Sequence, residues 1–206
     1  MIKKTLYFGN PAKLRLKDLQ LRIIKDREER TIPIEDIGVV ILDHFGITLS
    51  HAVLDVLLAN NVALITTDQI HMPTGMFLPL VSNSLQTERF REQIKAGKPL
   101  KKQLWQQTVK SKIKNQAGLL KQLGIEHKFL LNLIPKVQSD DRGNHESQAA
   151  RYYWNNLFDP FLFKRYRFGK PPNNLLNYGY AILRSVIARA LTGSGLLPSL
   201  GIHHRN

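Results

Sequence analysis

Cysteine is absent from the sequence. That excludes a disulfide framework and any zinc site built on thiolates. Long apolar runs are missing too. None approaches the roughly 18 residues that mark a membrane-crossing helix. The opening MIKKTLYFGN lacks the apolar core of a secretory signal, so an intracellular, cytoplasmic protein with no membrane partner is expected. No internal repeat and no low-complexity tract interrupts the chain.

Acidic residues are scarce in one part of the chain only. Residues 1–80 hold nine Lys or Arg against nine Asp or Glu, whereas residues 81–206 hold 21 against 7. The whole surplus of +14 therefore lies in the second stretch. A neutral module joined to a strongly basic one points to a polyanion as the partner of the basic one. The Lys and Arg are not gathered on one lipid-facing helix, which favours nucleic acid over a membrane surface.

What is present divides the same way. Thr5–Phe8, Lys13–Leu16, Leu21–Ile24 and Arg30–Ile34 read as short strands, punctuated by Asn10-Pro11 and the charged cluster at 25–29. Ile37–Leu42 is a continuous apolar run and reads as a buried strand. Ser50 heads a short helix with Val53, Leu54, Leu57 and Leu58 inward, and strands over Asn61–Thr66 and Met76–Leu80 complete the module. From Leu85 the period turns helical. Leu100, Leu104, Trp105, Val109, Ile113, Ala117 and Leu120 make one stripe, Gly124 stands where a C′ glycine belongs, and six lysines decorate the same helix. Leu175–Leu191 is the most apolar helix, with Gly179 and Ala190 as small residues suited to close packing. The expectation is an α+β protein: an N-terminal β-sandwich over 1–80, a linker and first helix over 81–97, and a basic all-α domain over 98–206.

Two stretches could carry chemistry. In GNHESQAARYYW, residues 143–154, Ala149, Ala150, Tyr153, Trp154 and Leu157 share a helical face, and Glu146 stands at its head. A carboxylate there either complements the helix dipole or faces inward to a cation or metal. A capping box would need Ser or Thr at position 143, which is glycine. The second stretch, GSGLLPSLGIHHRN, delivers His203 and His204 from a Gly- and Pro-containing loop. Neighbours in extended chain point opposite ways, so one of the two would share a site with Glu146. The other histidines, at 44, 51, 71, 127 and 145, read as structural or surface residues.

Three segments together, Asn144–Trp154, LNYGYAIL from Leu176 and GLLPSLGIHH from Gly195, resemble the CRISPR spacer-acquisition integrases, the first of the Cas proteins, in their type II branch. The resemblance runs along the whole chain. It implies a metal-dependent DNA endonuclease and integrase with Mg²⁺ or Mn²⁺ held by Glu146 and His204, His203 occupying the variable position. It implies double-stranded DNA partners, spacer precursor and CRISPR repeat, a homodimer formed through the β-sandwich, and a small ferredoxin-like companion Cas protein. The family's further acidic ligand lies downstream of the histidine motif, so the resemblance reads a chain ending at Asn206 as C-terminally truncated and weak in metal-dependent activity. The competing reading from another class is a non-catalytic, sequence-independent DNA-binding protein with a structural Glu146.

Overall fold

The computed structural model describes residues 3–26, 28–159, 162–166 and 169–203. Strands β1 (Lys4–Phe8), β5 (Ile37–Leu42), β7 (Ala63–Thr67) and β8 (Pro73–Phe77) form one sheet in that order. The first three run parallel and β8 runs antiparallel at the edge. Strands β2 (Lys13–Lys17), β3 (Gln20–Lys25), β4 (Glu28–Pro33) and the two-residue β6 (Thr48–Leu49) form a second sheet, ordered β4-β3-β2-β6. Helix α1 (His51–Ala59) links β6 to β7.

The two sheets pack together. Leu14 and Leu21 of the second share a core with Val40 and Leu64 of the first and with Val53 and Leu57 of α1. Period-two alternation explains why β5 reads as unbroken apolar sequence. Val40 points into that core, while Val39 and Ile41 point to the other face and need a cover of their own. The cover is helix α6 (Asn173–Gly193), whose Ile182 and Val186 pack on Val39, Ile41 and Ile65. Helix α2 (Gln86–Lys95) begins in the same unit.

The chain thus divides into residues 1–93 with 174–198, and residues 94–173 with 199–206. This corrects the expected domain boundaries. The most apolar helix belongs with the strands, because the outer face of β5 and β7 offers more apolar surface than a solvated helix could leave bare. The small residues that pack closely are also different. Ala181, Ser185 and Ala188 are buried, while Gly179 is exposed and an added Cβ there would meet nothing within 4 Å.

The second unit is built on α3 (Lys98–Gln122). Trp105, Val109, Ile113, Ala117 and Leu120 are its buried line, as the spacing predicts, whereas Leu100 and Leu104 at the start of the stripe are exposed. Gly124 ends the helix at φ +71°, where a side chain would be strained. Its N–H donates to Lys121 O at 3.0 Å and that of Ile125 to Leu120 O at 2.8 Å, the paired bonds of a Schellman motif. Helix α4 (Lys128–Leu133) adds Leu130 and Leu133 to the core, and α5 (His145–Leu157) adds Ala149 and Tyr153.

Candidate functional site

One face of α3 organises the site. Residues 102, 105, 106, 109 and 112 recur at three- and four-residue spacing, so they lie along one side of the helix. Val109 is core. The others each engage a group near the head of α5. Lys102 Nζ lies 2.9 Å from Asp140 Oδ2, and Gln106 Nε2 donates to Val137 O at 2.7 Å. The Trp105 ring stacks on His203, centroids 4.2 Å apart and planes 3° from parallel. Lys112 Nζ donates to Glu146 Oε1 at 2.5 Å.

Glu146 is therefore neither free in solvent nor sunk in the apolar stripe. Its side chain is 26% exposed and meets a lysine that is 47% exposed. Lys112 and Lys102, two of the six lysines expected to decorate α3, are committed to carboxylates of their own unit.

The turn before α5 explains how Glu146 is held. Asp140, Asp141 and Asn144 have φ of 68°, 46° and 50°, in the left-handed region that Asp and Asn tolerate best. The twist brings the buried Asp141 carboxylate under the helix N-terminus. Its Oδ1 accepts the His145 N–H at 3.0 Å and its Oδ2 the Glu146 N–H at 2.9 Å. Two orphan donors and the positive end of the helix dipole are satisfied by one charge. The N-cap position is taken by Asn144, one residue after the glycine where a capping box with Glu146 would need Ser or Thr, and Asp141 supplies the side-chain cap instead.

Asp140 is the second acid of the turn. The hydrogen bond from Lys102 holds its carboxyl below the ordinary carboxylate range. Its Oδ1 also lies 3.6 Å from His203 Nδ1. His203, expected to be a variable neighbour of the working histidine, is thus fixed by an indole below and a carboxylate at its edge. His204, the histidine expected to share the site with Glu146, lies outside the described residues.

Glu146 offers the hard oxygen that Mg²⁺ and Mn²⁺ take. Among the described residues, however, no three His, Asp or Glu side chains form a group able to hold a metal. The described donors match such an ion in kind and fall short in number.

Comparison with known proteins decides the family. The profile of CRISPR associated protein Cas1 matches residues 6–206. The chain belongs to this family. It is 37% identical to the CRISPR-associated endonuclease Cas1 of Neisseria meningitidis serogroup C (strain 8013), over all of this chain and 68% of that protein. Its fold matches that of a casposase bound to integration product, with a TM-score of 0.75 at 21% identity, covering 100% of this chain and 65% of the other. It also matches a chain of a Cas6-RT-Cas1–Cas2 complex, with a TM-score of 0.69 at 21% identity, covering 100% of this chain and 25% of that one. This Cas1-family chain therefore spans about two thirds of the Neisseria and casposase chains and a quarter of the chain from the Cas6-RT-Cas1–Cas2 complex.

Sequence reasoning singled out Glu146 and missed its supports. Asp140, Asp141, Trp105 and Lys112 act through contacts that only the fold creates. The Asp-Asp pair followed by Gly143 and Asn144 was the one available signal, since such residues favour tight turns.

Proposed function

We propose that this chain is a DNA endonuclease and integrase of CRISPR adaptation. It would join the 3′-hydroxyl of a short DNA duplex, the new spacer, to the phosphorus of a phosphodiester at the boundary of a CRISPR repeat, breaking that phosphodiester's bond to the neighbouring 3′-oxygen, which leaves as a free 3′-hydroxyl. The observation that carries this reading is the 37% identity, across the entire chain, to a protein named a CRISPR-associated endonuclease. The position of Glu146 within a basic helical unit supports it.

Mg²⁺ or Mn²⁺ is the proposed cofactor, with Glu146 and His204 as the ligands this chain supplies. Such an ion, when bound, neutralises charge on the phosphate under attack and lowers the pKa of a coordinated hydroxyl. The chain's own residues do the rest. Asp141 keeps the first turn of α5, and with it Glu146, in a fixed orientation. Trp105 and Asp140 hold His203 and thereby the backbone that enters His204. Lys114 and Lys121, exposed on α3, bind the DNA backbone by charge without reading its sequence. With water as nucleophile, the same site cuts DNA instead of joining it.

A homodimer through the β-sandwich and a small ferredoxin-like Cas companion complete the proposal, in the cytoplasm. The likeness to a chain of a Cas1–Cas2 complex supports the companion.

One observation favours the non-catalytic reading. Lys112 already neutralises Glu146, as it would in a purely structural pair. Chelation separates the two. A binding protein holds duplex DNA equally with and without EDTA and never changes its strands. The proposed enzyme holds DNA in both conditions but cuts and joins strands only with Mn²⁺ or Mg²⁺.

A further inference from the structure

The unit built on β1, β5 and β7 carries a second constellation, used by nothing described so far. It lies at the carboxyl ends of these parallel strands, where open sheets tend to bind ligands because loops diverge there. Asp43 follows β5 directly. Its side chain is buried, and it accepts hydrogen bonds from Tyr7 Oη at 2.6 Å, Thr67 Oγ1 at 2.5 Å and His71 Nδ1 at 3.0 Å. Burial pushes the Asp43 carboxyl up, but the three hydrogen bonds outweigh it and hold the group below the ordinary range. The residue is a buried, saturated anion.

That anion fixes His71. The loop 68–72 is closed by Asp68, whose Oδ1 accepts the N–H groups of Ile70 at 3.0 Å and Met72 at 2.9 Å. His71 sits in it at φ +62°, an unfavourable conformation for a residue with a Cβ. A carboxylate only accepts, so Nδ1 of His71 carries a proton, and the neutral form of the ring has its lone pair on Nε2. His44 is fixed in the opposite sense. Its Nδ1 accepts the Gly46 N–H at 2.9 Å, so its proton is on Nε2.

Both histidines line one cavity of about 480 Å³, together with Gln69 and the ring of Phe45. Phe45 is 76% exposed although it is wholly apolar. The volume is that of a small-molecule site. Among the described residues, the lining contains no Lys or Arg, and it contains two aspartates. A phosphate or carboxylate ligand would be repelled. What matches is an uncharged planar group that stacks on a phenyl ring and presents a hydrogen-bond donor beside an acceptor.

We propose that this cavity binds a nucleobase. The base stacks on Phe45, donates to Nε2 of His71, accepts from Nε2–H of His44, and meets the Gln69 amide. It comes either from a free nucleoside or from an unpaired base at the end of a DNA strand, and its phosphates remain outside. The site is separate from Glu146, and its occupancy does not depend on strand chemistry there.

Histidine-ring NMR on the whole chain tests this, with adenosine, thymidine, inorganic phosphate, a blunt duplex and a duplex bearing one unpaired terminal base as separate titrants. The expected result is saturable shifts of His44 and His71 with nucleoside at millimolar concentration or with the unpaired-end duplex. Response to the nucleosides identifies a free ligand, and response to the unpaired end alone identifies a strand terminus. Phe45→Ala, which alters an exposed ring and leaves Asp43 and its partners intact, should weaken either response about tenfold. Shifts driven by phosphate alone, equal shifts from the blunt duplex, or an unchanged affinity in Phe45→Ala would each overturn the proposal. So would the absence of any shift. Because the signals come from His44 and His71 and not from strand chemistry, an inactive Glu146 site and an empty cavity give distinguishable results.

Discussion

Trp105 of α3 and His203 of the C-terminal loop lie face to face, 4.2 Å apart and within 3° of parallel. Trp105 is 8% exposed and belongs to the core of its unit, so the stack ties a chain-end loop to that core. Truncation separates the two roles. Trp105→Ala should cost about 3–5 kcal/mol in denaturant unfolding, because the core loses a large packed ring. Trp105→Phe keeps a ring beneath His203 and should cost less. The His203 ring protons, shifted upfield by the indole in NMR spectra, should return to ordinary values in Trp105→Ala. Unshifted protons in the unmodified chain would show that the stack does not form.

Asp141 supplies the cap of α5, and the local sequence gives little warning of it. Asp141→Ala removes the acceptor of two N–H groups and should cost about 2 kcal/mol, at the upper end for a cap. Asp141→Asn keeps one acceptor oxygen and should cost about 1 kcal/mol. Urea unfolding of the two variants checks both the order and the size.

The contrast between Glu146 and Asp141 shows what the sequence carried. Residues whose role is set by helical or strand period were readable: the buried line of α3, the strands β1 to β5 and the Gly124 stop. Contacts that depend on chain returning from a distance were not. Asp43 and His71 are 28 residues apart and meet only after β7 has paired with β5. α6 has a helical period that says it needs a partner but not which one, and the outer face of β5 and β7 supplies it. His204 remains the one expected site residue outside the described chain.

Tyr7 reports on the buried carboxylate of Asp43. Its hydrogen bond to Asp43, aided by burial, raises the phenol from 10.0 to about 12. The protonated phenol is the form that holds the bond. The stability it contributes is complete below pH 10 and is lost as pH rises through about 12. Ultraviolet titration should therefore find one tyrosine ionising near 12, absent in Tyr7→Phe. For Asp43 the sign is opposite. Its lowered carboxyl contributes stability above its ordinary value, lost as pH falls through the folded value. Tyr7→Phe removes one of three donors, so acid unfolding should move to higher pH.

DNA binding should be steep in salt and nearly blind to sequence, because the positive surplus lies wholly in residues 81–206. Lys114→Glu with Lys121→Glu should weaken duplex binding equally for unrelated sequences. For every lysine that no longer pairs with a phosphate, the slope of log K against log salt should fall by about one. Lys102→Ala should instead act on stability and on His203, since Lys102 is committed to Asp140. Titrations at several salt concentrations, with two unrelated duplexes, measure both effects.

Glu146→Gln separates a carboxylate that serves strand chemistry from one that only pairs with Lys112. The change keeps the side chain's size and its place at the head of α5, and it removes only the charge. The measurement is Mn²⁺-dependent cleavage and joining of DNA by the protein with its Cas companion, beside duplex binding and thermal unfolding of the same variant. Strand chemistry should be lost in this variant, while DNA binding and the unfolding midpoint change little. Retained cleavage and joining in Glu146→Gln would contradict a role in strand chemistry and leave the carboxylate as the structural partner of Lys112.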